Sequence, residues 1–361
     1  MRHRTHLLNL LFLLLLYEYA TAQSLPVKSF KQFDLEVATS IRALEVLNDS
    51  AVWFAGSNGI YGFTDDAGMT WTIDTLSIDS FIPEFRSIAI LNDHTELLMN
   101  IGSPAYIWKS DDIGVTWKIV YENHDDDIFF DALKFSDEVN GIAVSDPIRQ
   151  CFQIIVTHDS GESWLPVSCS AIPQALGGEA CFASSNTSVD ASGRSVWLGT
   201  GGLHTRVLGS QDGGAHWKTF EAPILEGKEF TGIFSLDFYD NYTGIIAGGD
   251  YEEKSSPILT VAVTNDAGKT WKAIDEDDAP PFVSCVQYQP HSNGAVLLTA
   301  CIPGICYSVD GGMHWTKLKK DPDKSGGKDF TETFFTFRFS PSGKVAWFAG
   351  ADGKIARLEL K

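Results

Sequence analysis

The side chains that could carry chemistry in this chain are carboxylates and arginines from distant parts of the sequence. Glycoside hydrolysis needs two carboxylates at a suitable separation, and four acidic residues are candidates: Asp131, Asp146, Glu179 and Asp250. A substrate carboxylate can be held by paired arginine N–H donors, and three arginines are candidates: Arg42, Arg86 and Arg338. Either chemistry depends on elements that bring these residues together.

Those elements are indicated by an octad, "TNDAGKTW" at 264–271, with five near-copies elsewhere in the chain. A catalytic device is needed once, whereas a structural device is needed once in each structural unit. The octad aspartate can accept N–H groups of its own turn, and the glycine supplies the backbone freedom of a tight turn. We therefore predict a structural role for the six octad aspartates, which are Asp66, Asp112, Asp159, Asp212, Asp266 and Asp310.

The octads belong to a longer repeat with several short strands in each unit. The octad tryptophans are Trp71, Trp117, Trp164, Trp217, Trp271 and Trp315, at spacings of 46, 47, 53, 54 and 44 residues. Periods near 40–50 with several strands per unit are typical of propeller blades. Six units contain an octad, and units three to six are predicted to start near Phe130, Cys181, Phe234 and Val283.

A seventh unit starts near Phe335, contains "VAWFAGADGKIARL" (345–358), which matches unit one, and ends before any octad, so it lacks a fourth strand. The apolar, alternating segment 29–39 can supply that strand, which would close the ring with both chain ends. We predict an all-β fold, a single seven-bladed β-propeller over residues 23–361, closed by the N-terminal strand.

Residues 1–22 are typical of a secretory signal peptide. Arg2 and Arg4 precede an apolar run at 7–16, and Ala20-Thr21-Ala22 resembles a cleavage site. The run is too short to span a bilayer, so we expect a secreted or periplasmic protein without a membrane span.

Export permits disulfides. We predict two links across turns, Cys151–Cys169 and Cys301–Cys306, and expect Cys181 and Cys285 to stay free.

Charge and motifs exclude several partners. The formal net charge of −20 opposes binding to nucleic acid or anionic lipid. Motifs for dinucleotides, haem or iron–sulfur clusters are missing, and the histidines lack metal-ligand spacing. The acidic runs at 124–131 and 275–281 could bind Ca²⁺, although such runs are usually solvated. We expect a monomer with no cofactor and no resident metal.

The octads resemble the Asp-box, or BNR repeat, of sialidases and other secreted propellers. Segments such as "FFDALKF", "GGEACFASSNTS" and "AGGDY" resemble a family of secreted bacterial BNR-repeat proteins related in fold to the photosystem II stability/assembly factor propellers. The resemblance implies peripheral octads and a shared pocket on the channel face. Its candidate ligand-binding residues are Asp131, Asp146, Glu179, Asn186, Arg206 and Asp250, with Arg42, Arg86 and Arg338 as a second location.

From these observations we expect an exported, non-catalytic propeller that binds a protein or a glycan at its channel mouth. The alternative is a glycoside hydrolase, sialidase-like or with another carboxylate pair. A sialidase would need a tyrosine nucleophile with a glutamate partner, and none is clearly placed here. Members of the similar family are loosely named oxidoreductases, which is a weaker alternative because no motif supports redox chemistry.

Overall fold

The structure is a computed structural model that describes residues 24–302, 304–319 and 332–361. These ranges contain 30 strands in seven sheets, one 3₁₀ turn at Cys169–Ala171 and no α-helix. They contain no helix long and apolar enough to cross a lipid bilayer. The predicted signal peptide, residues 1–22, lies outside the described residues.

The strands are numbered along the chain, and β1 (Val27–Asp34) belongs to the last blade. Blade 1 contains β2 (Ile41–Val46), β3 (Val52–Gly56), β4 (Ile60–Thr64) and β5 (Thr72–Thr75). Blade 2 contains β6 (Phe85–Ile90), β7 (Glu96–Asn100), β8 (Ala105–Ser110) and β9 (Lys118–Asn123). Blade 3 contains β10 (Phe130–Phe135), β11 (Gly141–Ile148), β12 (Cys151–Thr157) and β13 (Leu165–Pro166).

Blade 4 is preceded by the two-residue strand β14 (Glu179–Ala180) and contains β15 (Val189–Ser192), β16 (Ser195–Gly199), β18 (Arg206–Ser210) and β19 (Lys218–Glu221). Strand β17 (Gly201–Gly202) joins β14 to the sheet of blade 5. Blade 5 contains β20 (Thr231–Phe238), β21 (Gly244–Asp250), β22 (Val261–Thr264) and β23 (Lys272–Ala273). Blade 6 contains β24 (Val283–Tyr288), β25 (Leu297–Cys301), β26 (Ile305–Ser308) and β27 (Thr316–Lys317).

Blade 7 closes the ring as the sequence predicts. It contains β28 (Phe334–Phe339), β29 (Val345–Gly350) and β30 (Lys354–Leu360), and β1 pairs antiparallel with β30. The first strand of each blade contacts the first strands of both neighbouring blades, from β2 round to β28 and back to β2. These seven strands therefore surround the central channel, and the prediction of a seven-bladed propeller is confirmed.

The core lies between the blades, where alternating side chains of adjacent sheets interdigitate. Each octad tryptophan packs into a different apolar cluster, so the six rings are distributed around the propeller. Trp71, for example, packs edge-on against Trp347 of blade 7 and Phe33 of β1, which ties the closing strand to blade 1. A large aromatic ring in each of these six clusters buries apolar area that the short strands alone could not cover.

The octads hold their turns together with their own polar groups. In the fifth octad, Asp266 Oδ1 accepts hydrogen bonds from Thr264 Oγ1 at 2.8 Å and from the Thr270 N–H at 2.9 Å. Asp266 Oδ2 accepts from Thr270 Oγ1 at 2.6 Å. Bonds from Thr270 lower the pKa of Asp266 to about 2. Gly268 has φ of +79°, a conformation that favours glycine.

One of the two predicted disulfides is present in the structure, and the other is not. Cys151 and Cys169 form a disulfide, as predicted. Cys301 and Cys306 are buried and unbridged, so the second predicted link is wrong. Cys306 lies opposite Thr299, two residues away from Cys301, yet the two thiols are close enough to hydrogen-bond to each other. Cys181 and Cys285 are free, as expected.

Candidate functional site

A β-bulge occurs near the start of the innermost strand in six of the seven blades. The register shifts at the second or fourth residue of each strand, and the bulged residues are Arg42, Arg86, Asp131, Phe234, Ser284 and Phe335. A bulge bends the strand and re-aims one side chain, and bulges are frequent beside functional sites. The repeat therefore places one re-aimed residue from each of these blades around the same mouth of the channel.

Blade 4 has a different start. Its innermost strand, β15, begins at Val189 rather than near Cys181, which corrects the predicted start of the fourth unit. The residues in between, 183–188, are all buried, and we call this segment the channel plug.

The channel plug forms hydrogen bonds with the innermost strands of all six other blades. In order from blade 1 to blade 7, these bonds are Arg42 Nη1 to Ser184 O (3.2 Å), Asn186 Nδ2 to Ile88 O (3.1 Å), the Leu133 N–H to Asn186 Oδ1 (2.9 Å), Thr187 Oγ1 to Ser235 Oγ (2.8 Å), Ser185 Oγ to Ser284 O (2.8 Å) and Thr336 Oγ1 to Ser185 O (3.0 Å). Only a segment on the axis can reach all six blades, so the plug fills the channel.

Two of the predicted ligand-binding residues, Asn186 and Arg338, form structural hydrogen bonds in the channel plug or to it. Asn186 is 2% exposed, and its amide joins blades 2 and 3. Arg338 is 5% exposed, and its guanidinium donates to the backbone carbonyls of Asn186 at 3.1 Å and Phe337 at 2.9 Å. It lies three residues beyond the bulged Phe335, deeper in the channel than Arg42 and Arg86. The predicted arc of three arginines is therefore reduced to two.

Above the plug, the channel mouth contains a cavity of about 440 Å³. It is lined by Arg42, Arg86, Phe129, Asp131, Asp146, Ala180, Cys181, Phe182, Ala183, Ser184, Glu229, Phe230, Phe234 and Tyr251. We call this cavity the mouth pocket. Its walls combine four bulged residues with the segment that leads into the plug, so it is closed on its inner side by the chain itself.

Two arginines form the cationic side of the mouth pocket. Arg86 is fixed by Glu84, which accepts from Arg86 Nη2 at 2.6 Å, and Arg86 Nη1 donates to Ala183 O at 3.1 Å. The guanidinium of Arg42 lies over the Phe335 ring, with its Cζ 4.0 Å from the ring centroid. Burial and the nearby charge of Arg86 lower the pKa of Arg42 to about 10. Arg42 Nε is buried with no hydrogen-bond partner among the described residues.

Two aspartates and a cysteine form the acidic side. Asp131 is fully buried, and neither of its carboxylate oxygens has a hydrogen-bond partner among the described residues. Burial and the neighbouring Asp146 raise the pKa of Asp131 well above its usual value. Burial also raises the pKa of Asp146 to about 6, although its Oδ1 accepts the Cys181 N–H at 2.7 Å. One ligand atom from each of Asp131, Asp146 and Cys181 lies within 4.8 Å of the others.

Glu179 and Arg206 do not line the mouth pocket, contrary to the predicted convergence. Glu179 lies on β14, not at the start of a blade's innermost strand, and its Oε2 pairs with Arg206 Nη2 at 2.5 Å. Glu179 Oε1 also accepts from Thr200 Oγ1 at 2.7 Å. Both charges are therefore satisfied within the link between blades 4 and 5.

Asp250 is likewise occupied elsewhere, although the next residue, Tyr251, lines the pocket. Its Oδ2 pairs with Lys228 Nζ at 2.7 Å, and its Oδ1 accepts the Glu252 N–H at 2.8 Å. Burial opposes ionisation of Asp250, but Lys228 and the backbone donors outweigh it and lower the pKa. Of the six residues expected to share a pocket on the channel face, only Asp131 and Asp146 line the mouth pocket; Asn186 lies in the channel plug, and the other three have partners of their own.

The sequence interpretation missed Cys181 and the aromatic wall of the pocket. Phe182 and Phe234 stack with ring centroids 3.9 Å apart, and Phe234 is the bulged residue of blade 5. One signal was present in the sequence. The Trp164–Trp217 spacing of 53 residues exceeds the two preceding spacings of 46 and 47, and the additional residues precede β15, where the plug lies.

A second cavity, of about 490 Å³, lies at the edge of blades 4 and 5 beside the octads. Its acidic lining residue, Asp212, already accepts bonds from Ser210 Oγ and the His216 N–H within its own octad. The mouth pocket, with its unpartnered Arg42 and Asp131 atoms, is therefore the better candidate for ligand binding.

Comparisons with known proteins show the fold. No family model matches the chain, and no curated protein matches it. A structure described as YCF48 bound to D1 peptide is 17% identical, with a TM-score of 0.67, and the match covers 94% of this chain and 100% of that one. YCF48 from Cyanidioschyzon merolae is 16% identical, with a TM-score of 0.63 and coverage of 92% and 99%.

A GH74 xyloglucanase from Xanthomonas campestris is 16% identical, with a TM-score of 0.60, and the match covers 91% of this chain and 53% of that enzyme. At these identities the likenesses show a shared propeller fold. They support the expected relation in fold to assembly-factor propellers, whereas membership of the BNR-repeat family stays a prediction.

Proposed function

We propose that this protein is an exported, non-catalytic propeller that binds an acidic peptide segment of a partner protein in the mouth pocket. The observation that carries the proposal is the buried, unpartnered Nε of Arg42 beside Arg86. Glu84 already pairs with Arg86, so the guanidinium left for an anion is that of Arg42. A carboxylate suits a guanidinium group, because it accepts two parallel N–H bonds from it.

The remaining walls favour an apolar or aromatic side chain next to that carboxylate. Phe182, Phe234 and Tyr251 contribute ring faces, and Phe230 is 43% exposed at the rim. A cavity of about 440 Å³ falls in the range that holds a small ligand or a few peptide side chains. Aromatic walls with a few fixed polar groups are typical of such recognition sites.

Two further observations support the proposal. The YCF48 structure with a D1 peptide shows that a propeller of this fold can bind a peptide, although 17% identity carries no ligand over. The Cys151–Cys169 disulfide is typical of an oxidising compartment, which agrees with export.

Glycoside hydrolysis is less well supported by the same site. A glycosidase needs two carboxylates beside the scissile bond, yet Asp131 is fully buried in the pocket wall, and burial raises its pKa well above the usual value. Glu179 and Asp250 are held by Arg206 and Lys228. The likeness to a xyloglucanase is one of fold.

The test is binding of a defined peptide array by fluorescence anisotropy. Short peptides that place Asp, Glu or a free C-terminal carboxylate beside an aromatic residue are compared with matched Asn, Gln or amidated peptides. We expect the carboxylate peptides to bind, and Arg42→Met and Arg86→Met each to weaken that binding at least about tenfold, because a charge-assisted bond is lost.

Arg194→Met is the matched control, since Arg194 is exposed at the turn between β15 and β16, away from the mouth pocket. Equal binding of amide and carboxylate peptides would contradict the proposal. So would hydrolysis of an oligosaccharide panel that is abolished by Asp146→Asn, which would restore the glycosidase alternative.

A further inference from the structure

The acidic side of the mouth pocket has the composition of a metal site. Asp131 comes from the bulge of β10, Asp146 from β11, and Cys181 from the segment that precedes the channel plug. One ligand atom from each lies within 4.8 Å of the other two. Three separate chain segments thus direct a thiol and two carboxyl groups to one point.

A second, independent observation concerns Asp131 itself. Its carboxylate is fully buried, yet neither oxygen has a hydrogen-bond partner among the described residues. A buried carboxylate without donors is costly, and a neutral acid would leave an O–H without an acceptor. Native proteins seldom keep such a group unless a ligand or an ion uses it.

Asp146 is already oriented for the same purpose. The Cys181 N–H donates to Asp146 Oδ1 at 2.7 Å, which fixes the orientation of this carboxylate. Hydrogen bonds of this kind orient metal ligands in known sites.

We propose that Asp131, Asp146 and Cys181 bind one divalent zinc-like ion, with the fourth coordination position open to the mouth pocket. A thiolate with two carboxylate ligands suits Zn²⁺, whereas Ca²⁺ and Mg²⁺ take oxygen ligands. Ligand atoms around tetrahedral zinc are about 3.5 Å apart, given bonds of about 2.0–2.3 Å. Side-chain rotations that shift the ligand atoms by about 1 Å would therefore bring them to the separations of a tetrahedral zinc site.

The charges agree with this assignment. Two carboxylates and a thiolate contribute −3, which a divalent ion reduces to −1, and the electrostatic attraction of Arg86 acts on Asp131 from the cationic side of the same pocket. The metal site does not depend on the peptide ligand proposed above, because its test uses the metal alone.

The test measures metal binding to the full mature chain after removal of metals with a chelator. Zn²⁺ is titrated against a chromophoric chelator, and Co²⁺ is added separately to observe the thiolate-to-cobalt charge-transfer absorption. We expect one equivalent of Zn²⁺ and this absorption band. Asp131→Asn and Cys181→Ser should each weaken Zn²⁺ binding by at least about tenfold, as loss of a ligand exceeds loss of a supporting bond, and Cys181→Ser should abolish the band.

Cys301→Ser is the matched control, because Cys301 is also a buried, unbridged thiol but lies outside the cluster. It should leave the affinity and the band unchanged. The proposal is overturned if the parent chain binds no Zn²⁺, if Asp131→Asn binds as tightly as the parent, or if Cys301→Ser alone removes the band. Should Cys181→Ser fail to fold, Asp131→Asn decides the outcome, since the Asp131 oxygens have no hydrogen-bond partner among the described residues.

Discussion

The octads at the periphery and the mouth pocket at the centre place aspartates in opposite surroundings. Asp266 is partly exposed, yet its carboxylate accepts three hydrogen bonds within its own turn, and its pKa is lowered to about 2. Asp131 is fully buried, yet its carboxylate accepts no hydrogen bond from the part of the chain that the structure describes, and its pKa is raised well above the usual value.

The difference separates architecture from recognition. A carboxylate whose lone pairs are used by its own turn has little capacity left for a ligand, and its removal is expected to affect stability. A buried carboxylate or guanidinium with unused capacity contributes little to stability, and its retention is explained by a ligand or an ion. The polar groups of the channel plug are used within the protein, like those of the octads, although the plug lies at the centre. The plug therefore provides the strongest test of the comparison.

The largest effect is expected at Arg338, which anchors the channel plug. Arg338→Ala would leave the buried carbonyls of Asn186 and Phe337 without their donor, so unfolding free energy should fall by about 2–4 kcal/mol. Urea denaturation measures this change, with the exposed Arg194→Ala as the control. If the two variants are equally stable, the plug is not a structural element.

A smaller loss is expected at the octads. Asp266→Ala should reduce unfolding free energy by about 1–2 kcal/mol, because turn hydrogen bonds are lost. Asn265→Ala changes the preceding exposed position of the same octad and serves as the control. Peptide binding by folded Asp266→Ala should equal that of the parent, and a stable variant that no longer binds would refute the structural role.

The octads also predict an acid-dependent loss of stability. Hydrogen bonds within the octads lower the pKa of Asp66, Asp159, Asp212 and Asp266 to about 2, below the ordinary value of 3.8. The unfolded chain therefore binds more protons in this range, so this stabilisation is present above about pH 4 and is lost as the pH falls towards 2.

Asp266→Ala isolates one such contribution. The difference in unfolding free energy between parent and variant should narrow between pH 5 and pH 2, roughly in step with protonation of the folded carboxyl. A constant difference over this range would show that the hydrogen bonds of Asp266 do not favour its ionised form.

The smallest effect is expected at Asp131. In metal-free protein, Asp131→Asn replaces a buried carboxyl group that has no hydrogen-bond partner among the described residues, so unfolding free energy should change by less than about 1 kcal/mol or rise. Thermal and urea unfolding of parent and variant, both treated with chelator, measure it. A loss of unfolding free energy as large as that of Asp266→Ala would contradict the distinction between the octads and the mouth pocket.

The octads and the strand repeat were sufficient to predict the propeller from sequence. Hydrogen bonds from Thr264 and Thr270 to Asp266 form within one turn, so they depend on local spacing, which a sequence displays directly. Ring closure was predictable for a related reason, because a seventh unit without an octad leaves one strand position for the N-terminal segment to fill.

The site depended on register and on partners from distant segments. Arg42, Arg86, Asp131 and Asp146 were chosen by their places in the repeat, and the structure brings them to one pocket, while their part in ligand binding stays a prediction. The sequence does not show that Glu179 pairs with Arg206 or that Asp250 pairs with Lys228, since each ion pair depends on how two loops pack.

The sequence by itself determined the local turns, the strand pattern and the number of blades, because these depend on residue types at fixed short spacings. The tertiary structure alone decided that residues 183–188 leave blade 4 and fill the channel, and that Cys181 meets Asp131 and Asp146 beside them. The physical reason is that the plug is stabilised by donors and acceptors from six other blades. Those groups meet only after the ring has closed.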